Sequence, residues 1–177
     1  MTRQQLEHII RAAAGTADVH DIVVIGSQSI LGTYPNAPAE LTESTEADVF
    51  PRDTPERAIV IDGAIGEESL FHQTFGYYAH GVGEDTAILP DGWRDRLVKL
   101  ENAATMGAVG WCLEANDLAV SKLVAEREKD LNFVGTMIRL KLVDAEMIKD
   151  RLERTPSLSP DALALATARL QRLASEA

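Results

Sequence analysis

Apolar residues along the chain fall into two patterns: short unbroken runs, and longer stretches where they recur every third or fourth position. Leu6, Ile9, Ile10 and Ala13 follow the helical period and Gly15 supplies a stop, which predicts a short opening helix. Asp21 then precedes Ile22-Val23-Val24-Ile25, a continuous β-branched run suited to a strand buried on both faces. Gly26 ends it. Ser27 to Leu31 reads as the start of a helix with Ser27 near its N-cap, and Gly32 to Glu40, with Pro35 and Pro38, as a loop.

A second strand is expected from Glu46 to Phe50, stopped by Pro51. Asp53-Thr54-Pro55-Glu56 looks like a helix start, with the proline in the first turn. Ile59-Val60-Ile61 favours a strand, but its flanks favour a helix running on towards Phe75, and the helix is the reading adopted. Gly76 to Val82 and Thr86 to Leu89 read as strands around the turn Gly83-Glu84-Asp85, with further strands at Leu97 to Leu100 and Ala108 to Leu113. From Glu114 the character changes. Leu118, Leu123, Val124, Leu131, Val134, Ile138 and Leu142 keep helical spacing over a long region, and helices follow at 144–154 and 160–175. The expected fold is α/β (α+β): a mixed sheet flanked by helices over residues 1–113, with an all-helical C-terminal region, 114–177, packed on it.

Composition narrows the class. With 45% hydrophobic and 25% charged residues the chain is globular, and no apolar run approaches the ~20 residues of a membrane span. The single cysteine, Cys112, excludes an internal disulfide framework and any zinc site built on cysteine pairs. A cytoplasmic protein is expected. The net charge of −11 weakens non-specific attraction to nucleic acid, although Arg94, Arg96, Lys99 and Arg127 leave room for a local basic patch.

Candidate chemistry starts at Gly26-Ser27. A glycine after a buried strand lets backbone amides approach a phosphate, and a following helix points its positive end there. Neither a Walker loop nor a dinucleotide fingerprint is present. In Glu46-Ala47-Asp48, positions i and i+2 of a strand face one side, so the two carboxylates converge. Such a pair repels itself unless a cation intervenes, and magnesium prefers oxygen ligands of this kind. The bland alternative is an edge strand with two acids on its outer face. His72 and His80, eight residues apart, could join a metal site, but structural roles are the reading adopted; Trp93 and Trp111 are placed in packing, and Cys112 inside an apolar strand as a buried thiol. Gly26-Ser27 lacks the G-x-S-x-G elbow of a serine hydrolase.

The stretch Val24-Ile25-Gly26-Ser27-Gln28-Ser29-Ile30-Leu31, taken with Glu46-Ala47-Asp48-Val49-Phe50-Pro51, resembles the nucleotidyltransferase-like superfamily. The closer similarity is to the bacterial group around the abortive-infection (AbiEii-type) toxins and its uncharacterised relatives. A second block, Asn116 to Leu123 followed by Ala125-Glu126-Arg127-Glu128-Lys129-Asp130, is similar to the lysine-plus-"R-x-KD" signature that this group carries on helices after the sheet. The blocks together span about Ile22 to Val134.

The resemblance implies a nucleotide-binding turn at Gly26 and Ser27, metal binding at Glu46 and Asp48, and catalytic or nucleotide-contacting roles for Asp48, Lys122, Asp130 and Arg127. It implies a nucleoside triphosphate (NTP) as substrate with Mg2+ as cofactor, and an RNA, protein or small-molecule acceptor. It also implies a place in a toxin–antitoxin or abortive-infection system, with an antitoxin-like partner protein. On one straight helix the Cα atoms of Lys122 and Asp130 would stand about 12 Å apart, able to share a triphosphate but not to touch. The bland alternative for this block is a solvated helix face of alternating charge. The chain also departs from the superfamily's pattern. The acidic pair opens with glutamate, and the later strand, Gly76 to Val82, offers His80 where a third carboxylate is usual. Those departures keep two rivals in view: a non-catalytic binding module of the same fold, and an oligomer built through the C-terminal helices.

Overall fold

The computed structural model describes residues 1–177, and its central strand is the apolar run β1 (Asp21–Ile25). β1 pairs antiparallel with β2 (Glu46–Pro51) on one side and parallel with β5 (Val109–Cys112) on the other. The edges are β3 (Tyr78–Gly81), parallel to β2, and β4 (Val98–Leu100), antiparallel to β5. The order β3-β2-β1-β5-β4 makes a five-stranded mixed sheet. Central placement explains the β1 sequence: Ile22 to Ile25 are all buried, as a strand covered on both faces requires.

The chain divides into two compact units, Met1–Thr86 with Leu97–Glu114, and Ala87–Arg96 with Ala115–Ala177. The first holds the whole sheet. Its opening helix α1 (Arg3–Ala17) starts at a Thr2/Gln5 capping box and runs through Gly15 instead of stopping there. Ala13, Ala14 and Ala17 are buried, so packing outweighs the ~1 kcal/mol that a mid-helix glycine costs. The actual end is Asp18, in the left-handed conformation at φ 51°, with Ala14 O accepting from the N–H groups of Asp18 and Val19.

After β1 the chain makes one 3-10 turn (Ser27–Ser29) into α2 (Ile30–Thr33), and Gly26, not Ser27, takes the N-cap position. The ambiguous stretch is helical. A 3-10 turn at Pro55–Arg57 leads into α3 (Ala58–Ile65), which buries Ala58, Ile61 and Ile65 on one face and leaves Ile59 exposed. The helix does not reach Phe75 unbroken. Glu68, at φ 61°, and the Ser69 N-cap separate it from α4 (Leu70–Phe75). α1 and α3 pack on each other and on β2 and β3. The expected strand at Thr86 to Leu89 is absent; the chain there is a short 3-10 turn and irregular backbone, since the Thr86 N–H donates back to Gly83 O and closes the turn.

The second unit is helical: α5 (Ala115–Ala125), α6 (Glu128–Arg139), α7 (Ala145–Glu153) and α8 (Pro160–Glu176). α5 packs against the other three and is buried on nearly all sides, so its polar residues must find partners inside the unit. The long helical stretch is in fact two helices, broken where Glu126 adopts φ 71°. No helix in the chain is long and apolar enough to cross a membrane.

Candidate functional site

In the first unit, strand register assembles a cluster. β2 and β3 run parallel with Glu46 opposite Tyr78 and Asp48 opposite His80. Because side chains alternate along each strand, these four project from one face while Ala47 and Val49 are fully buried on the other. His80 Nδ1 lies 3.1 Å from Glu46 Oε1 and 3.2 Å from Asp48 Oδ1. The Tyr78 hydroxyl donates to the other Glu46 oxygen at 3.0 Å. One ligand atom each from Glu46, Asp48 and His80 falls within 4.8 Å of the others.

The electrostatics follow from this crowding. Burial, and then the neighbouring Glu46 charge and a shared hydrogen bond, push Asp48 up to about 6, against the opposing pull of His80. Burial alone would raise Glu46 too, but hydrogen bonds with Tyr78 and Asp48 and the His80 charge bring it below its ordinary value. Burial would lower His80, yet the charges of Asp48 and Glu46 raise it. Tyr78 is pushed up to about 12 by burial and by its bond to Glu46, so it stays a donor at neutral pH. The acidic pair thus favours positive charge at that point, whether on a protonated His80 or on a bound cation.

Gly26 closes one side of the cluster. Its φ of 67° and ψ of −169° belong to a region open essentially to glycine alone, and a Cβ there would collide with Asp48 Oδ2. The expected phosphate turn therefore lies directly against the carboxylate expected to bind metal. Asp48 also stands opposite Ile25 in the sheet, one residue before Gly26. Ser29 Oγ donates to Gly26 O and holds the turn. Gln28, which the sequence did not single out, is fully buried there, with neither amide atom hydrogen-bonded.

Lys122, Arg127 and Asp130 come together within the second unit. The break at Glu126 folds α6 back, so Lys122 Nζ reaches Asp130 Oδ1 at 2.8 Å, where a single straight helix would have kept them apart. Arg127 Nε donates to Asp130 Oδ2 at 2.6 Å, and the Lys122 ammonium lies 4.4 Å from the centre of the Phe133 ring. Lys122 and Asp130 are buried, whereas 63% of the Arg127 side chain is exposed. Burial lowers the Lys122 pKa, opposed by Asp130. Burial would raise Asp130, but the bonds from Arg127 and Lys122 hold it low. Asp117, in the same sequence block, is fully buried between Arg96 and Arg151.

Several other expectations are settled by contacts. Of the residues proposed for a basic patch, Arg96 pairs with Asp117, Arg127 with Asp130 and Lys99 with Glu101, while Arg94 lies over the Trp93 ring. Both tryptophans are half-buried, not core; Arg52 covers Trp111, whose indole N–H donates to Asp21. Cys112 is a buried thiol, pushed up to about 12 by burial. His72 accepts from the Glu68 N–H and stacks on Tyr78, outside the ligand trio. His80 is the site residue that sequence reasoning undervalued. The available signal was the matching i, i+2 spacing of Tyr78/His80 and Glu46/Asp48 on two strands.

Comparison with curated proteins and with solved structures returns no match. A family profile does match, over residues 4–162, and its family is described as a nucleotidyltransferase of unknown function (DUF6036). Spanning nearly the whole chain, that match establishes that the chain belongs to this nucleotidyltransferase-like family.

Proposed function

We propose that the chain binds a nucleoside triphosphate together with a divalent cation and transfers its nucleotidyl group to a protein or small-molecule acceptor. The observation that carries this reading is the contact of the Gly26 turn with Asp48, which sets a phosphate-approach backbone beside a paired carboxylate. The donor set fits the ion: Glu46 and Asp48 supply hard oxygen ligands on one face of β2. When bound, the cation would neutralise the triphosphate and the charge developing on the attacking and leaving oxygens. An acceptor hydroxyl attacks the α-phosphorus, its proton leaves to solvent or a nearby base, and pyrophosphate departs.

In this reading Glu46 and Asp48 anchor the cation, Tyr78 orients Glu46, and the Gly26-Ser27 backbone receives phosphate oxygens. In the second unit, nucleotide-contacting roles for Lys122, Arg127 and Asp130 rest on the motif resemblance, and Asp130 is paired with both cations. The paired state of Arg96, Lys99 and Arg127 and the net charge of −11 favour a protein or small molecule over RNA as acceptor. A role as the toxin of an AbiEii-like pair, with an antitoxin-like partner, rests on the motif resemblance. Its test is growth arrest on induction, abolished by Asp48→Ala.

One observation favours a second reading, a non-catalytic module of the same fold. His80 stands where a third acid is usual and engages both carboxylates through Nδ1. Thermal unfolding with each of the four triphosphates, with and without Mg2+ or Mn2+, separates the two. Stabilisation by triphosphate that requires the cation, and that Asp48→Ala removes, supports transfer chemistry. No stabilisation by any combination favours the non-catalytic module.

A further inference from the structure

The third ligand position of this cluster is occupied by an imidazole. We propose that His80 coordinates the cation through Nδ1, making the site selective for Mn2+ over Mg2+; this rests on the Glu46/Asp48 metal site proposed above. Two distances support it. Ligands at adjacent corners of an octahedron with metal–ligand bonds of about 2.1 Å stand about 3.0 Å apart. His80 Nδ1 is 3.1 Å from Glu46 Oε1 and 3.2 Å from Asp48 Oδ1, so a cation can sit under this face with only small movement of the three side chains.

Each ligand is held by a different part of the sheet. Asp48 is fixed against the Gly26 backbone, where no other residue leaves room for its carboxylate. Glu46 has one oxygen engaged by Tyr78, which turns the other towards His80. His80 is set by direct register with Asp48 across β2 and β3, and half its side chain is open to solvent, so a cation can enter without unfolding either strand. His72 stacks on Tyr78 and accepts from the Glu68 N–H through its Nδ1, so it buttresses the set without joining it.

The donor chemistry decides the metal. Mg2+ demands a near-ideal shell of oxygens and gains little from an imidazole, whereas first-row transition cations accept mixed nitrogen and oxygen sets. Of these, Mn2+ is the most tolerant of carboxylate and water ligands. A third carboxylate in place of His80 would restore the all-oxygen set that Mg2+ prefers.

The test is direct metal binding to the intact chain, free of nucleotide. Mn2+ affinity is read by electron paramagnetic resonance and Mg2+ affinity by competition, on the native protein, His80→Asp and His80→Asn. The expected Mn2+/Mg2+ preference in the native protein is about 100-fold or more, falling at least about 10-fold in His80→Asp as Mg2+ binding improves. Electron spin echo envelope modulation of the Mn2+-loaded native protein should show one directly bonded nitrogen, lost in both variants. An unchanged preference in His80→Asp, or no bonded nitrogen in the native protein, overturns the inference even if triphosphate still stabilises the protein. A nitrogen-ligated, Mn2+-selective site without any triphosphate response would uphold it while sinking the transfer reading. Failure of both cations to bind the nucleotide-free chain overturns the inference.

Discussion

Asp48 is the residue through which the site can be tested by acidity alone. Its carboxyl sits at about 6 against an ordinary 3.8, so the folded state prefers it protonated. The stabilising contribution of the neutral carboxyl is fully present below about 3.8 and is lost as pH rises through about 6. That difference is worth up to about 3 kcal/mol, and the His80 charge offsets part of it. Asp48→Asn should therefore raise the unfolding midpoint at pH 8, by about 1–3 kcal/mol in stability, with the gain vanishing near pH 4. Denaturant melts at the two pH values measure it. A gain equal at both would mean that charge crowding is not what strains the pair. Divalent cation at pH 8 should stabilise the native protein and leave Asp48→Asn unmoved. At this scale the sequence was informative about Glu46 and Asp48, because their spacing alone puts them on one face. His80 was legible only in part: its strand was expected, but its contact depends on β2 and β3 pairing in parallel at one particular register. Gln28 gave no signal at all, since nothing in a single sequence distinguishes a buried, unbonded amide from an exposed one.

Among the elements, the junction of α5 and α6 shows how far periodicity can mislead. Helical spacing persists across residues 118–142, so the chain reads as one long helix, yet Glu126 turns left-handed and α6 starts afresh from Arg127. What stabilises the break is polar. Asp130, buried, joins Lys122 from one helix to Arg127 from the other side of the turn. Removing Asp130 leaves a buried ammonium uncompensated, so Asp130→Ala should destabilise the protein by about 3–5 kcal/mol. The double replacement Lys122→Met with Asp130→Leu should recover most of that loss, because an apolar pair of similar volume needs no partner. Chemical denaturation of the three proteins supplies the cycle. If the double variant is no more stable than Asp130→Ala, the cluster does more than satisfy its own charges. The other element-level differences have the same origin in tertiary context. Burial of alanines carries α1 past Gly15, while the turn closed by the Thr86 N–H and Gly83 O takes the chain out of strand conformation before residues 87–89.

At the scale of the whole chain, fold class was readable because apolar runs, turns and the change of character after Glu114 agree with one another. The function class is constrained by charge. With 28 acidic and 17 basic groups the chain's overall charge opposes phosphates, and the arginines and lysines first considered as a patch are bound to carboxylates or to an aromatic ring. Non-specific binding to nucleic acid draws essentially all of its free energy from cations that displace counterions, and such complexes reach only about 1 to 100 µM at physiological salt. The chain should therefore show no binding to a mixed RNA pool up to about 100 µM at 150 mM salt, and only weak binding at about 20 mM. A triphosphate with its cation should bind under both conditions, because that interaction is local to Gly26, Glu46 and Asp48 and draws little on the global field. Filter binding for RNA and calorimetry for the triphosphate make the comparison. Tight RNA binding at 150 mM would return RNA to the front of the acceptor classes. Its absence alongside triphosphate binding would leave a protein or a small molecule to receive the nucleotide.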